Sequence, residues 1–361
     1  MKAYVLLDTG DVFTGEWIGR PHAVTGEVVF NTGMTGYQEV LADPSYAGQI
    51  VTYTYPMIGN YGIQTEEDGS AMPQVAGVVM GECCAYPSPY GKKETFADTL
   101  DRYGIPGICG IDTRAITTIV RKKGCVRGML SSEAQLPTDV EWPNPLSPVW
   151  VERASVKEPF TYTDNVDSPH VVLIDYGHKQ SIVNTLLSQG CRVTVVPYNW
   201  SNTRIAALNP DGLLLSNGPG DPQALLPYAQ ALRPLLQQIP TMGIGLGQQV
   251  IALAFGATTE RMPHGHRGSN HPVKNMVDGK VWVTSQNHGY VVSKDSLDQE
   301  VWEITYVNVN DGSVEGLKHK HYPVQGVQFH PKAHPDPKEI EVLFQQFLTH
   351  VTSPRKETTY A

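Results

Sequence analysis

The segment Gly243-Ile244-Gly245-Leu246-Gly247-Gln248-Gln249 predicts a buried strand that turns sharply into a helix. The strand is predicted over 240–244 and the helix over 246–255, with a glycine on each side of a crowded and strained turn. This is the frame of a nucleophile elbow, which carries a nucleophilic side chain at its apex. The apex residue is Gly245, which has no side chain, so the sequence excludes covalent catalysis from this position.

Apolar strand candidates surround this elbow in the second half of the chain. They alternate with helical patterns, and this order predicts a mainly parallel sheet with helices on both faces, which is an α/β fold. The candidates lie at 171–174, 191–196, 212–215 and 240–244.

The first half of the chain has a different pattern. Short β-rich segments, such as 26–31 and 49–55, are separated by turn residues. One helix is predicted over 113–122, because Asp112 can cap its first turn and Gly124 can end it. We therefore expect a β-rich amino-terminal domain.

A proline-rich stretch marks the boundary between the two halves. It lacks helical or alternating periodicity, as expected of a connector that runs extended over the surface. We predict an amino-terminal domain over 1–150, a connector over 151–170, a second domain over 171–353 and a flexible tail over 354–361. The prolines of this stretch are Pro137, Pro143, Pro145, Pro148, Pro159 and Pro169.

Composition and charge narrow the functional classes. A chain of 361 residues with a net charge of −9 is long enough for two domains and does not favour a nucleic-acid or anionic-membrane surface. No apolar run approaches the ~18 residues of a membrane span. The cysteines show no C-x-x-C spacing, which indicates reduced thiols and a cytoplasmic protein. Adjacent Cys83 and Cys84 are better interpreted as buried small side chains than as half of a metal site.

Long ordered blocks of sequence resemble one family over nearly the whole chain. In the first half, NTGMTGYQE (31–39), DPSYAGQ (43–49), YPMIGNYG (55–62) and GIDTRA (110–115) resemble the small, glutamine-hydrolysing subunit of carbamoyl-phosphate synthetase. In the second half, SNGPGDP (216–222), the elbow, SQNHGY (285–290) and VQFHP (327–331) are similar to a class I glutamine amidotransferase.

The resemblance implies a glutamine pocket. The backbone of Gly218 and Gly220 would contact glutamine, and the amide of Leu246 would join an oxyanion hole, which needs donors rather than a nucleophile. Two alternatives stay open: the Gly-Pro-Gly segment is an ordinary tight turn, or the pocket residues persist because they shape an interface between domains. The further substrate-binding positions implied by the resemblance are Ser45, Gln249, Asn287, Gly289 and Tyr290.

The catalytic positions depart from the family at three places. His330 matches the histidine that would deprotonate a cysteine nucleophile, but that nucleophile is replaced by Gly245. The family's glutamate two residues after the histidine is replaced by Lys332, whose charge disfavours a protonated His330. Gln248 stands where the family usually has histidine. We expect His330 to be a relic and glutaminase activity to be absent or very low.

The sequence was also searched for motifs of metal, dinucleotide and phosphate binding, and these motifs are weak or incomplete. His264 and His266 form an H-x-H pair that can bind metal, but with His271 they lie in a segment that resembles a family loop without a metal, so we predict no metal site. The glycines of the elbow do not complete a dinucleotide-binding G-x-G-x-x-G, because its last position is Gln248. No phosphate-binding G-x-x-x-x-G-K-[ST] is present either. ATP and magnesium are therefore expected in another chain.

Two functional hypotheses follow from the resemblance. The first is the family's role, in which the chain hydrolyses glutamine and delivers ammonia to the large synthetase subunit, for carbamoyl phosphate used in arginine and pyrimidine synthesis. The second is a non-catalytic partner that stabilises or regulates a large subunit fed by free ammonia. The missing nucleophile favours the second for this chain's own activity, and the expected ligand of the pocket is glutamine or a related amino acid.

Overall fold

The computed structural model describes residues 1–63, 73–88, 94–144, 146–163, 165–330 and 337–352, with the backbone alone for 337–341. Lys332 and the predicted tail at 354–361 lie outside the described residues. The predictions made for them therefore stay predictions.

The first half of the chain folds into a closed seven-stranded barrel. Its strands follow the order β1-β2-β8-β6-β4-β3-β9, and β9 pairs with β1 to close it. The elements are β1 (Lys2–Leu7), β2 (Val12–Gly19), β3 (Val24–Asn31), α1 (Tyr37–Ala42), a 3₁₀ turn (Pro44–Tyr46), β4 (Gln49–Tyr53), β5 (Met57–Ile58), β6 (Gly77–Val79), β7 (Glu82–Cys83), α2 (Phe96–Arg102), β8 (Pro106–Cys109), α3 (Thr113–Lys123) and β9 (Val126–Ser131).

The second half forms a ten-stranded mixed sheet. Its order is β10-β12-β11-β13-β14-β19-β18-β17-β15-β16. The elements are α4 (Val149–Ala154), β10 (Phe160–Thr161), β11 (His170–Asp175), α5 (Gln180–Ser188), β12 (Arg192–Pro197), α6 (Asn202–Ala206), β13 (Gly212–Leu215), a 3₁₀ turn (Pro222–Leu225), α7 (Leu226–Leu236), β14 (Thr241–Ile244), α8 (Leu246–Ala254), β15 (Thr259–Asn275), β16 (Val281–Val292), a 3₁₀ turn (Lys294–Ser296), β17 (Trp302–Asn308), β18 (Val314–His319), β19 (Val324–Val327) and α9 (Pro337–Thr352).

The predicted parallel sheet is present as one part of this larger sheet. Strands β12, β11, β13, β14 and β19 run parallel, whereas β10 and the long β15–β18 region pair antiparallel. Helices cover both faces: Leu213 and Leu215 pack in the core that holds α7 and α8, and Leu214 between them packs in the core that holds α5 and α9. Strand side chains alternate between faces, so one strand contributes to both cores.

The α3 helix begins and ends where its sequence signals predict. The side chain of Asp112 accepts a hydrogen bond from the Ala115 amide at 2.9 Å, and Gly124 ends the helix with a φ of 81°. A carboxylate cap satisfies an amide that has no partner within the helix, and glycine adopts positive φ without a steric cost.

The connector differs from the expected extended run. A helix, α4, begins directly after Pro148 and buries Val151 in the core of the second sheet. Downstream, the amide of Val156 donates to Asp175 at 2.8 Å, and Phe160 of β10 pairs with Val195 of β12. Proline spacing predicted a break between domains, but burial of Val151 outweighs the weak helical pattern. The domain boundaries themselves stay predictions.

Contacts between the barrel and the second sheet surround the elbow. The Arg261 guanidinium pairs with Glu27 of β3 at 2.5 Å, and the Lys179 ammonium pairs with Asp43 at 2.9 Å. These ion pairs join segments that are far apart in sequence. Lys179 follows β11, so its pair with Asp43 lies near the carboxyl end of a parallel strand, where sites form in such sheets. Among the described residues, no helix is long and apolar enough to cross a membrane.

Candidate functional site

The elbow has the backbone of a nucleophile-bearing turn. Gly245 lies between β14 and α8 with φ 57° and ψ −114°, a conformation that a residue with a side chain rarely adopts. A Cβ atom built on Gly245 would lie 3.4 Å from Cβ of Asn217 and 3.8 Å from the Gln328 carbonyl oxygen. These are ordinary van der Waals distances, so the turn has space for the side chain that the sequence lacks.

The two flanking glycines have no such space. A Cβ on Gly243 would lie 2.6 Å from the Ile251 side chain, and a Cβ on Gly247 would lie 2.1 Å from the Leu215 carbonyl oxygen. Helix α8 therefore approaches β13 so closely that only glycine fits at its first turn. Steric crowding, rather than ligand binding, explains these glycines.

The start of α8 presents backbone donors beside the apex. The first amides of a helix have no acceptors within the helix, and Leu246 is the first residue of α8. The helix dipole also places partial positive charge at this end. This geometry provides donors for an anionic oxygen at the apex, as the resemblance implies for Leu246.

The loop after β13 packs against the same region. A Cβ on Gly218 would lie 2.4 Å from the Tyr176 carbonyl oxygen, whereas nothing lies within 4 Å of a Cβ on Gly220. The side-chain amide of Asn217 donates to the Ser45 hydroxyl at 3.1 Å and to the Gly177 carbonyl at 2.9 Å. Gly218 is required by packing, while Gly220 leaves open space with a φ of 91°.

The side chains predicted to bind glutamine lie close together. Gln249 donates to the Tyr290 carbonyl at 2.6 Å and to the Gln328 side-chain oxygen at 2.8 Å. Asn287 has two buried side-chain amide atoms without a hydrogen-bond partner among the described residues. Tyr290 presents its ring to the Arg261 guanidinium, 5.5 Å from the ring centroid.

One cavity of about 110 Å³ brings the predicted positions together. Its lining includes every described residue that the sequence singled out as substrate-binding, together with the elbow apex and the histidine. The roles of these residues stay predictions. Because they line the same cavity, they are placed to contact one common ligand. These lining residues are Ser45, Gly218, Gly220, Gly245, Leu246, Gln249, Asn287, Gly289, Tyr290 and His330.

His330 is held as a neutral ring. It is 5% exposed, and its amide donates to the Ser285 carbonyl at 2.9 Å. Nε2 lies 3.4 Å from Oδ2 of Asp43, and Nδ1 has no hydrogen-bond partner among the described residues. Burial lowers the pKa of His330, and the Lys179 ammonium lowers it further against the opposing effect of Asp43. A neutral Nε2–H donating to Asp43 fits this environment.

Asp43 is a site residue that the sequence reading missed. Its carboxylate accepts from the Ser45 amide at 2.9 Å and pairs with the Lys179 ammonium at 2.9 Å. Burial alone would raise the pKa of Asp43, but the Lys179 ammonium and His330 hold it well below its usual range. Asp43 is therefore a buried anion that orders both Ser45 and His330. The sequence did offer one signal for Asp43: it lies two residues before the predicted substrate-binding Ser45, in the same DPSYAGQ block.

Gln248 does not line the cavity. It is fully buried and packs against Gly326 of β19. Both of its side-chain amide atoms have no hydrogen-bond partner among the described residues. An unsatisfied buried amide costs about 1–3 kcal/mol, so packing rather than hydrogen bonding holds this side chain.

Cys125 is a thiol that does line the cavity. The residue is exposed, but partial desolvation of its thiol raises the pKa of Cys125, and Glu27 raises it further. A protonated thiol is a poor nucleophile, and Cys125 lies between α3 and β9 of the first half rather than at the start of α8. All five cysteines of the chain are free thiols.

The histidine-rich segment is a strand rather than a loop. His264, His266 and His271 lie in β15, whose pairing with β16 is irregular on both sides of His266. His266 bonds to the Gln286 side chain at 2.8 Å and to Asp311 at 2.9 Å. The positive φ of Gly265 and Gly268 lets the strand continue through these irregularities.

A cluster of possible metal ligands accompanies this strand. One ligand atom each of His266, His288 and Glu315 lie within 4.8 Å of one another. Burial lowers the pKa of His266, but Glu315 and Asp311 raise it above its ordinary value overall. His266 also lies 3.4 Å from Glu315 and 2.9 Å from Asp311, so the carboxylates of the cluster have a partner within the protein. The predicted absence of a metal stays a prediction.

Comparison with known protein families covers both halves of the chain. Residues 172–350 match the family described as glutamine amidotransferase class-I. Residues 5–130 match the carbamoyl-phosphate synthase small chain, CPSase domain. The matched regions correspond to the ten-stranded sheet and the barrel, respectively.

Curated relatives extend over the full length. The carbamoyl phosphate synthase arginine-specific small chain of Halalkalibacterium halodurans is 46% identical over 361 residues and covers 100% of both chains. The protein of the same name from Bacillus subtilis is 44% identical, also with 100% of both chains covered. The carbamoyl phosphate synthase small chain of Staphylococcus epidermidis is 46% identical, over 96% of this chain and 95% of that one.

Solved structures were compared as well. A putative GMP synthase subunit from Thermoplasma acidophilum covers 51% of this chain and 94% of its own, with a TM-score of 0.45 and 22% identity.

Proposed function

The chain belongs to the family of carbamoyl phosphate synthase small chains, and we propose that it is the small subunit of a carbamoyl-phosphate synthetase whose own glutamine-hydrolysing site is inactive. The observation that carries this proposal is Gly245 at the apex of an otherwise intact elbow. The family's hydrolysis needs a covalent nucleophile, and Gly245 supplies none.

Cys125 does not replace the missing nucleophile in this proposal. Its raised pKa keeps the thiol protonated near neutral pH. His330 donates toward Asp43 and carries a lowered pKa, so its ring is occupied by a contact between the domains. The other side chains that line the cavity include hydrogen-bonding groups that can bind a ligand, and we assign none of them a role in bond cleavage.

The pocket still offers contacts for glutamine. Gln249, Asn287 and the start of α8 depend on neither a thiol nor a triad carboxylate, and Asn287 has both amide atoms available. In this proposal an amino acid occupies the cavity without being consumed. The bound amino acid would then regulate the large subunit. Regulation is one of the two roles, with stabilisation, of the non-catalytic hypothesis.

The rest of the reaction belongs to the large subunit in this proposal. That partner binds ATP and magnesium and carries out phosphoryl transfer to bicarbonate, with free ammonium as the nitrogen source. The small chain would bind this partner through its surface. Its similarity to other small chains extends over the full length, which supports a shared mode of association. The carbamoyl phosphate would serve arginine or pyrimidine synthesis, in a cytoplasm whose reducing conditions agree with five free thiols.

Co-purification with the large subunit of the same organism tests the proposal. We expect a stable complex that makes carbamoyl phosphate from ammonium, ATP and bicarbonate but not from glutamine. The isolated large subunit is the control, and it should be less stable or less active with ammonium than the complex. A large subunit that never associates with this chain and works equally well by itself would contradict the proposal.

A further inference from the structure

Trp150 of α4 forms part of the wall of the cavity beside the elbow. Its side chain lines the cavity and is also half-buried rather than buried, so the ring separates the cavity from solvent. The next residue, Val151, is only 3% exposed and packs in the core of the second sheet. One turn of helix thus contributes to the cavity wall with one side chain and to a core with the next.

The indole ring of Trp150 packs on the backbone of Gly48, which lies between the 3₁₀ turn at Pro44–Tyr46 and β4. A Cβ atom built on Gly48 would lie 2.4 Å from ring atoms Cε2 and Cζ2 of Trp150, so a side chain at this position would displace the ring. Gly48 also has a φ of 77°, which favours glycine. The exposed Arg153 guanidinium lies 5.0 Å from the centroid of the same ring.

The carboxyl end of α4 is fixed at the junction of the sheet and the barrel. A Cβ atom built on Gly177, which follows β11, would lie 3.0 Å from Cβ of Ala154 and 3.1 Å from Cβ of Pro44. The hydroxyl of Ser155, directly after the helix, accepts a hydrogen bond from the Tyr198 amide at 3.2 Å. Close packing and a hydrogen bond to backbone therefore hold this end of α4.

The two attachments of α4 differ in strength. Val151 is held in a core, and Ser155 is held by a buried hydrogen bond. Trp150 is held against the barrel by one half-buried ring. Segments with fewer buried contacts open at a lower free energy than segments in a core. The Trp150 side of α4 is therefore the side that opens first.

We propose that α4 is a lid on the cavity, that the contact of Trp150 with Gly48 is its latch, and that an amino acid enters and leaves when the latch opens. The inference rests on the proposed function for the identity of the molecule that passes. Because the latch joins two parts of the protein, it is present in the empty and in the occupied cavity alike. Its loss should therefore change the rates of binding and not the affinity.

Rates of glutamine exchange in the complex with the large subunit test the lid. NMR line shapes of labelled glutamine give the dissociation rate, and calorimetry gives Kd. Trp150→Ala should raise the association and dissociation rates together by about 10-fold, with Kd changed by less than about 2-fold. Gly48→Ala keeps the indole but places a Cβ where the ring packs, so it should raise both rates in the same way.

The matched control is Trp200→Ala. Trp200 is also half-buried, lies 4.0 Å from the guanidinium of Arg204 and packs against the core of the second sheet, so its loss should leave both rates unchanged. Unchanged rates in a folded Trp150→Ala variant would overturn the lid, because the ligand would then pass by another route. A faster dissociation with a correspondingly weaker Kd would also overturn it, because Trp150 would then be a binding contact.

Opening of the latch is also measurable without any ligand. This chain is labelled with 5-fluorotryptophan before assembly, and the Trp150 signal is the one that Trp150→Phe removes. We expect ¹⁹F relaxation dispersion to show two-state exchange for Trp150, on the timescale of lid motions, and none for Trp200. Absence of exchange at Trp150 would overturn the lid whether or not glutamine binds. If glutamine does not bind the unmodified complex, the proposed pocket and the passage of an amino acid both fail, while exchange at Trp150 would still show that α4 opens.

Discussion

The elbow and the surroundings of His330 differ in what holds them in place. At the elbow, Gly243, Gly247 and the φ of 57° at Gly245 keep a turn with room for a nucleophile. Around His330, the ring contacts Asp43 through Nε2, and no described partner orients Nδ1. The elbow consists of backbone and close packing, which the fold itself requires. The acid–base chemistry that the resemblance implies depends on side chains, which can be replaced without unfolding the protein.

Restoring the side chains should therefore test the comparison most strongly. We predict that Gly245→Cys alone yields little glutaminase activity, because the new thiol lacks an oriented base. The triple variant Gly245→Cys, Gln248→His, Lys332→Glu should exceed the single variant by about 10²–10⁴-fold, the usual contribution of general acid–base catalysis. The measurement is glutamate release from glutamine by each variant in complex with the large subunit.

The matched control for this series replaces the thiol by a methyl group. Gly245→Ala combined with the same two changes adds a Cβ at the apex but no nucleophile, so it should release no glutamate. Equal activity of the single and triple cysteine variants would show that the surroundings of His330 have not lost their function, and the contrast drawn here would fail.

A pair of alanine substitutions separates the apex of the elbow from its flank. Gly245→Ala has space for Cβ and should cost about 1–3 kcal/mol of unfolding free energy from backbone strain. Gly247→Ala places Cβ 2.1 Å from the Leu215 carbonyl oxygen. Because the contacted atoms belong to the backbone of a buried strand and not to the end of a flexible side chain, this variant should cost about 3 kcal/mol or more. Urea denaturation of both variants measures the difference. A larger cost at Gly245 would mean that the apex is not ready for a side chain.

The protonation of His330 gives a smaller and more local test. Its pKa is below 6.5 because of burial and the Lys179 ammonium, so Lys179→Met should raise it and Asp43→Asn should lower it further. The unfolded chain binds a proton at His330 more readily than the folded chain. The neutral ring therefore adds stability that is present above pH 6.5 and lost as the pH falls below it. Ring resonances in an NMR titration report this pKa, and a rise in Asp43→Asn would contradict the assignment.

Caps and glycines in the sequence correctly predicted those helices and turns that are stabilised by residues close to one another in the chain. The α3 helix and the strand–turn–helix at Gly245 were predicted because caps and glycines act within a few residues. The α4 helix was missed because burial of Val151 against a distant sheet stabilises it. The histidine-rich part of β15 was interpreted as a loop because it resembles a family loop, while its pairing with β16 is a tertiary property.

The residues of the candidate site also fall into two groups, those that the sequence identified and those that only the tertiary structure shows. The residues around the cavity were identified because they lie in recognisable blocks of sequence. Asp43, Lys179 and Trp150 were not singled out, because what distinguishes them is a partner in another part of the fold. A tryptophan near prolines is ordinary in sequence, and only the packing of its ring on Gly48 makes it informative.

We propose that this chain has a glutamine pocket without a glutaminase. The most direct measurement supplies the purified complex with glutamine labelled at the side-chain amide nitrogen and follows both glutamate release and labelled carbamoyl phosphate, with unlabelled ammonium as the alternative nitrogen source. Loss of a covalent nucleophile typically lowers turnover by about 10⁶-fold, so we predict unlabelled product from ammonium and no glutamate above the uncatalysed rate. Labelled product that disappears in Cys125→Ala or His330→Ala would contradict the account, because another nucleophile or a working base would then be present.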